Sequence, residues 1–408
     1  MTTSYEIYGL RVRQARLMRR LTATAVLEGV GWKGARLSRL ERTETATVSG
    51  DELASLARVL RFPELFFRTA PVSRVSPSDL SFRAPKSTTE KEKDRMAQFM
   101  ALSGDLLVEL DRRQKLPPVR LSTGGVDQGD VVAVAAHTRQ CLGLTADEPI
   151  GDLTRLLERG GIPVLMRNER FGAQVPEVGS RGRLEKHLGC STWVGEFAER
   201  PLVVMRELDS WERTRWTLAH ELGHLMLHAH VGEMTEEHEG QASRFASEFL
   251  APFAAIAPSV RGTPSLLNLL SVKEKWGISL GALLRHFHES GGLDDERYEM
   301  LRTQLYTRIN ADTGFTWGRT EPGWQDREPE RPRLLSRWIE FAFGIASPEL
   351  LASYGLIWPA DVIAEFLVGQ RFPVAAPTVS RPAHSGSGGT GGGNDVVDFA
   401  AHRARKKA

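Results

Sequence analysis

The five residues His220-Glu221-Leu222-Gly223-His224 constrain this chain more than any other stretch. A helix advances about 100° per residue, so histidines four apart stand about 40° from each other on one face, one turn along the axis. Both imidazoles can then reach one Zn²⁺, with the intervening carboxylate close enough to take a proton from water. The pattern needs a rigid helix. One is read from Trp211 to His228, with Leu218, Leu222, Leu225 and Ala229 as the apolar stripe that docks on a core. The alternative leaves His220 on the helix surface and His224 as a satisfied core histidine.

A catalytic zinc site takes a third protein ligand and keeps a further position open. Downstream, Ala242, Phe245, Ala246 and Phe249 recur at helical spacing until Pro252 stops the element. Glu239, three residues before Ala242, extends that buried stripe, where a carboxylate is costly unless paired or metal-bound. It is the predicted third ligand. Glu236, about 60° off the stripe, is the fallback, and Glu248 is expected to face solvent. His228 and His238 are read as lying outside the ligand set. His286 and His288 are also excluded, because positions two apart face different sides of a helix.

Residues 128–323 resemble the ImmA/IrrE family of metallopeptidase-like proteins. The resemblance rests on Arg215-Trp-Thr-Leu-Ala-His-Glu-Leu-Gly-His-Leu-Met-Leu-His228 and on Glu239-Gly-Gln-Ala-Ser-Arg-Phe-Ala-Ser-Glu-Phe-Leu-Ala-Pro252. Trp276-Gly-Ile-Ser-Leu-Gly-Ala-Leu-Leu284 matches more weakly. The family implies that His220, His224 and Glu239 bind Zn²⁺, that Glu221 is the general base, and that a partner repressor is cut. Four residues after the third ligand the family usually carries Asn or Asp, whereas this chain has Ser243. A hydroxyl can hydrogen-bond a ligand histidine but carries no charge, so metal affinity or activity is expected to be lower.

Charge singles out the N-terminus. Residues 1–68 hold 12 Lys and Arg against 7 Asp and Glu, a net +5, although the whole chain carries only +2. Amphipathic segments at Gly9–Arg20, Ala23–Glu28, Gly34–Arg42, Asp51–Leu60 and Pro63–Arg68 predict an all-α helix-turn-helix domain. The stretch resembles the XRE (Cro/C1-type) repressors, through Arg11-Val-Arg-Gln-Ala-Arg16, Leu37-Ser-Arg-Leu-Glu41 and Leu53-Ala-Ser-Leu-Ala-Arg-Val-Leu60. That resemblance places Lys33, Arg36 and Arg39 at the surface of double-stranded DNA. Glu41 is expected to be an ion-pair partner. Thr22-Ala23 stands where the family has Thr-Gln, and Trp32 is unusual near the turn. The other reading is a five-helix bundle that no longer binds DNA and holds a protein partner.

Between these regions, Thr69–Arg95 reads as a linker with Pro71, Pro77 and Pro85, and a bracing helix follows from Met96 to Arg113. Ser81-Phe-Arg83 resembles a motif of relatives that join the two modules. Further helices are read at Val131–Leu142 and Asp152–Gly160. Apolar runs at Gly161–Leu165, Leu188–Val194 and Pro201–Met205 suit strands. Leu188–Val194 is the candidate edge for a substrate peptide, with an ordinary core strand as the alternative. Helices then recur at Leu266–Trp276, Ser279–His288, Asp294–Ile309, Leu334–Phe343, Pro348–Tyr354 and Ala360–Val368, before a Gly- and Ser-rich tail from Phe372.

The expected architecture is α+β and mostly helical. It comprises a helix-turn-helix domain (1–68), linker and brace (69–127), a zincin-like domain with a small sheet on the zinc helix (128–323), a helical region (324–371) and a tail (372–408). Cys141 and Cys190 offer no disulfide framework, and no apolar run is of membrane-spanning length. A cytoplasmic enzyme is expected, and a homodimer is compatible with the sequence. Two functions remain open: a DNA-linked zinc endopeptidase that cuts a repressor or antitoxin-like partner, and a transcription regulator whose zinc site is structural or sensory. Tyr298, Tyr306 and His228 are the candidates for stabilising an oxyanion.

Overall fold

A three-stranded sheet divides the molecule into layers. The computed structural model describes residues 3–80, 90–167 and 189–371, except 207, 209, 230, 233, 324–325, 345–346 and 352–353. The central strand Arg200–Arg206 pairs in parallel with Val164–Arg167 and antiparallel with Gly189–Val194, so among the described residues Gly189–Val194 lies at an edge. Side chains alternate across the sheet and feed two cores. Val164, Met166, Val203 and Met205 join Leu218, Leu222, Leu225 and Phe245 on one face. Leu165, Cys190, Val194, Leu202 and Val204 join Phe99, Met100 and Leu106 on the other. The helix Trp211–Leu227 therefore covers one face, and the helix Glu90–Arg113 covers the other.

The helix Glu90–Arg113 is buried almost all round between Met96 and Leu107, as a helix must be when it is enclosed by other elements. The same core continues into Val12, Leu37, Leu56 and Phe66 of the N-terminal region and into Ile339, Ile363 and Phe366 near the C-terminus. The buried pair Arg11–Asp105, at 2.7 Å, ties the first helix to this brace. A third core gathers Ile256, Leu269, Leu283, Phe287 and Trp317 beyond the sheet. The fold is thus α+β and mostly helical. No helix among the described residues is long and apolar enough to cross a membrane.

Three expectations are corrected. The N-terminal region is not all-α, because Ser4–Tyr8 pairs antiparallel with Thr45–Ser49. These strands are five residues each, too short for period-two alternation to stand out, and only the pairing of distant segments creates them. The bracing helix begins at Glu90, not Met96, since its first turns are charged and carry no apolar periodicity. Glu248 does not face solvent. It is 6% exposed, and its Oε2 accepts a hydrogen bond from the backbone of Phe253 at the start of the next short helix. Helical phase alone missed that the chain turns back over this face. Ser81–Arg83, Leu188 and the tail lie outside the described residues.

Candidate metal centre

Ser210 caps the helix Trp211–Leu227 by accepting from the backbone of Arg213, and the apolar stripe pins the helix to the sheet. Thr235 and His238 form a reciprocal capping box that starts the helix Glu236–Leu250. The two helices cross closely at Gly223. A Cβ there would stand 2.9 Å from Cδ1 of Phe245 and 3.2 Å from the carbonyl oxygen of Ala242, so only glycine allows this approach. The crossing carries Glu239 across to the two motif histidines.

Three side chains converge, with one donor atom of each within 4.8 Å of the other two. His220 Nε2 and His224 Nε2 are 3.2 Å apart, and the two Glu239 oxygens lie 3.4 Å from His220 Nε2 and 3.5 Å from His224 Nε2. Tetrahedral ligands about 2.0–2.1 Å from Zn²⁺ are separated by about 3.3 Å, so the histidine pair has the spacing that ion needs and the carboxylate lies within reach of it. Oε1 of Glu239 is buried with no hydrogen-bond partner, a cost that a cation would remove. Among the described residues, His220, His224 and Glu239 are the group able to hold a metal. His224 is 1% exposed at its side chain, while His220 at 12% and Glu239 at 17% leave the donor set open on one side.

Protonation suits a cation. Burial pushes the His224 imidazole down to about 4, so it is neutral at ordinary pH. Burial opposes ionisation of Glu239, but the neighbouring His220 and His224 imidazoles prevail and hold its carboxyl well below the usual range. Neutral imidazoles and an ionised carboxylate are the forms a metal binds.

Glu221 lies against the edge strand. It is 4% exposed, and its Oε2 accepts from the Ser191 hydroxyl at 2.8 Å. A Cβ at Gly189 would come within 2.8 Å of its other carboxylate oxygen, so the bare glycine makes room for the carboxylate. Burial pushes this carboxyl up to about 8; the Ser191 hydrogen bond acts in the opposite direction, and the Glu239 charge adds to the rise. A cation nearby would lower it again.

Each motif histidine has a second partner behind it. Ser243 Oγ lies 3.5 Å from Nδ1 of His220, and the Trp216 ring stacks on that imidazole at 5.0 Å. His224 Nδ1 meets His228 Nδ1 at 3.0 Å, and His228 Nε2 meets Gln241 Oε1 at 2.9 Å. Sequence reasoning missed Gly189, Ser191, Trp216 and Gln241. Trp216 and Gln241 lie within the motif stretches, and Gly189 and Ser191 within the candidate edge, but no helical or strand period ties them to the histidines or to Glu221. Among the oxyanion candidates, Tyr298 stacks on His288 and Tyr306 packs at Gly318, while His228 lies behind His224. The excluded His286 hydrogen-bonds the carbonyl of Ala251.

In the N-terminal region Lys33, Arg36 and Arg39 are all exposed, with Arg36 and Arg39 on the helix Arg36–Leu40. Arg36 is engaged, pairing with Glu52 and lying over the Trp32 ring at 4.4 Å. Glu41 receives two hydrogen bonds from Arg16, at 2.6 and 2.7 Å.

No curated protein matches the chain. Residues 177–288 match the Peptidase_M78 family model, described as the IrrE N-terminal-like domain, a metallopeptidase-type family that is generally zinc-dependent, and that stretch contains His220, Glu221, His224, Glu239 and Ser243.

Proposed function

We propose that this protein is a zinc-dependent endopeptidase that cuts a repressor or antitoxin-like regulatory protein, and that its N-terminal helices bind double-stranded DNA. The observation that carries the peptidase reading is the convergence of His220, His224 and Glu239, with one donor atom of each within 4.8 Å of the others and a buried carboxylate, Glu221, beside them in the motif. His220, His224 and Glu239 would hold the ion. When bound, Zn²⁺ brings the pKa of water toward about 7 and polarises a scissile carbonyl.

Glu221 takes the proton from the attacking water and passes it to the leaving amine. Ser191 holds the carboxylate in place. The strand Gly189–Val194 pairs with no other strand along its outer edge among the described residues. An extended peptide would add there, so one strand would align the substrate and orient the base.

Lys33, exposed three residues before the helix Arg36–Leu40, and Arg39, exposed on it, support the DNA reading through their charge. The second reading, a regulator with no turnover, is favoured by the long Ser243–His220 contact of 3.5 Å, a weak substitute for a carboxylate. Glu221→Gln decides between them. The peptidase reading expects this variant to keep stoichiometric zinc and lose cleavage of a co-incubated repressor. If wild type and variant leave every neighbouring-operon repressor equally intact, the regulator reading stands.

A further inference from the structure

Zinc needs an unprotonated nitrogen, and a neutral imidazole has only one. For His224 that nitrogen must be Nε2, which faces His220 and Glu239. Left alone, a neutral imidazole exchanges between tautomers, and the Nε2–H form blocks the site. The hydrogen-bond chain behind His224 decides which form is present.

The chain can be read from its far end. Gln241 Nε2 donates to Glu237 Oε1 at 3.4 Å, one helical turn earlier, which turns the amide oxygen toward His228. An amide oxygen only accepts, so His228 must carry its hydrogen on Nε2, where the contact is 2.9 Å. In a neutral ring Nδ1 of His228 is then bare. His224 Nδ1, 3.0 Å away, must donate to it, which leaves Nε2 of His224 without a hydrogen. His228 is 3% exposed and His224 1% exposed, so water does not compete for these bonds.

The fold builds this chain from two elements. His228 ends the helix Trp211–Leu227, and its non-helical backbone, φ −126° and ψ 20°, ends the element one turn beyond His224. Gln241 follows Glu239 by two residues on the second helix, so the helix that offers the carboxylate also offers the amide. The His238 ring packs on His228 at 4.8 Å and limits its rotation.

We infer that Gln241, acting through His228, locks His224 in the tautomer that leaves Nε2 bare for the metal. Both are positioning residues, since neither reaches the ion's position. The inference rests on the zinc-site reading for its purpose, but its hydrogen-bond chain exists in the metal-free protein and can be tested there.

Nitrogen-15 NMR of the imidazoles in the metal-free, full-length protein reads the tautomers directly. Wild type is expected to show His224 protonated on Nδ1 and His228 on Nε2. Gln241→Met keeps the side chain's length but removes the acceptor, and both rings are expected to become tautomeric mixtures. Gln241→Glu keeps an acceptor and is expected to retain the wild-type pattern. Competition with a chromophoric chelator then reads zinc affinity: roughly tenfold to a hundredfold weaker for Gln241→Met, and within roughly threefold of wild type for Gln241→Glu.

Wild-type His224 protonated on Nε2, or either ring doubly protonated at neutral pH, overturns the lock. So does a Gln241→Met protein that binds zinc as tightly as wild type. Wild-type protein that shows the expected tautomers but takes up no zinc overturns the zinc reading and the purpose given to the lock. The NMR arm keeps that failure separate from a failure of the hydrogen-bond chain.

Discussion

The Ser191 hydroxyl donates to Glu221 at 2.8 Å across 30 residues of sequence, tying the motif's carboxylate to the edge strand of the sheet. Removing this bond should raise the proton affinity of Glu221, because the hydrogen bond favours the ionised form. A base works only when deprotonated, so activity that rises with pH should rise later. Ser191→Ala is expected to move the acidic limb of the pH–rate profile to higher pH and leave zinc content unchanged. An unmoved limb would reject Glu221 as the base or Ser191 as its partner.

Gly189 tests the same contact by bulk. Its Cβ would meet Glu221 at 2.8 Å, so Gly189→Ala should displace the carboxylate. Misplacement of about 1 Å costs roughly a hundredfold in rate. The expected result is that fall in kcat with stoichiometric zinc retained. Full activity would show that the strand gives way.

Zinc should stabilise the folded protein. A ligand that binds only the native state at about 1,000 times its Kd adds about 4 kcal/mol. Wild type is expected to melt several degrees higher with zinc than after chelation, and Glu239→Ala or His224→Ala should lose this response. A zinc-dependent Tm that survives Glu239→Ala would remove that carboxylate from the ligand set.

Gly223 sets the helix crossing. Gly223→Val forces a side chain against Phe245 and the Ala242 carbonyl, an overpacking that costs about 1–3 kcal/mol. Because the crossing delivers Glu239, zinc affinity should fall together with the urea midpoint. Loss of stability without loss of zinc affinity would separate the crossing from the site.

Stability should also decline as pH rises toward neutrality. Burial pushes the Glu158 carboxyl from 4.5 up to about 7, although it accepts hydrogen bonds from the backbone of Arg333 and Leu334. Between those values the folded state holds the proton more tightly than the unfolded chain. The contribution is therefore complete below the unfolded pKa and is lost as pH rises through about 7. Glu158→Gln cannot titrate and should flatten this part of the curve in urea melts run at about pH 5 and about pH 8. Identical pH slopes would exclude Glu158 as the source.

For DNA, Arg39→Ala should weaken retardation of operator DNA and reduce the salt slope by roughly one. Arg36 is already paired with Glu52, so Arg36→Ala alone should have a smaller effect. Unchanged retardation in the double variant would exclude this surface.

The helices, and what lies within one turn of them, could be read from the amino acids. The periodicity of 211–228 and 239–252 put His220 and His224 on one face and Glu239 on a buried stripe, because helical phase is a local property. The helices Leu266–Trp276 and Leu334–Phe343 were legible to the residue for the same reason. Tertiary structure alone decided the rest. The Ser4–Tyr8 and Thr45–Ser49 pairing, the burial of Glu248, and the approach of Gly189 and Ser191 to Glu221 join segments that no period connects. Whether His224 faces the ion with a bare nitrogen depends on Gln241 reaching back to His228, and such contacts arise only when two helices pack at a particular angle.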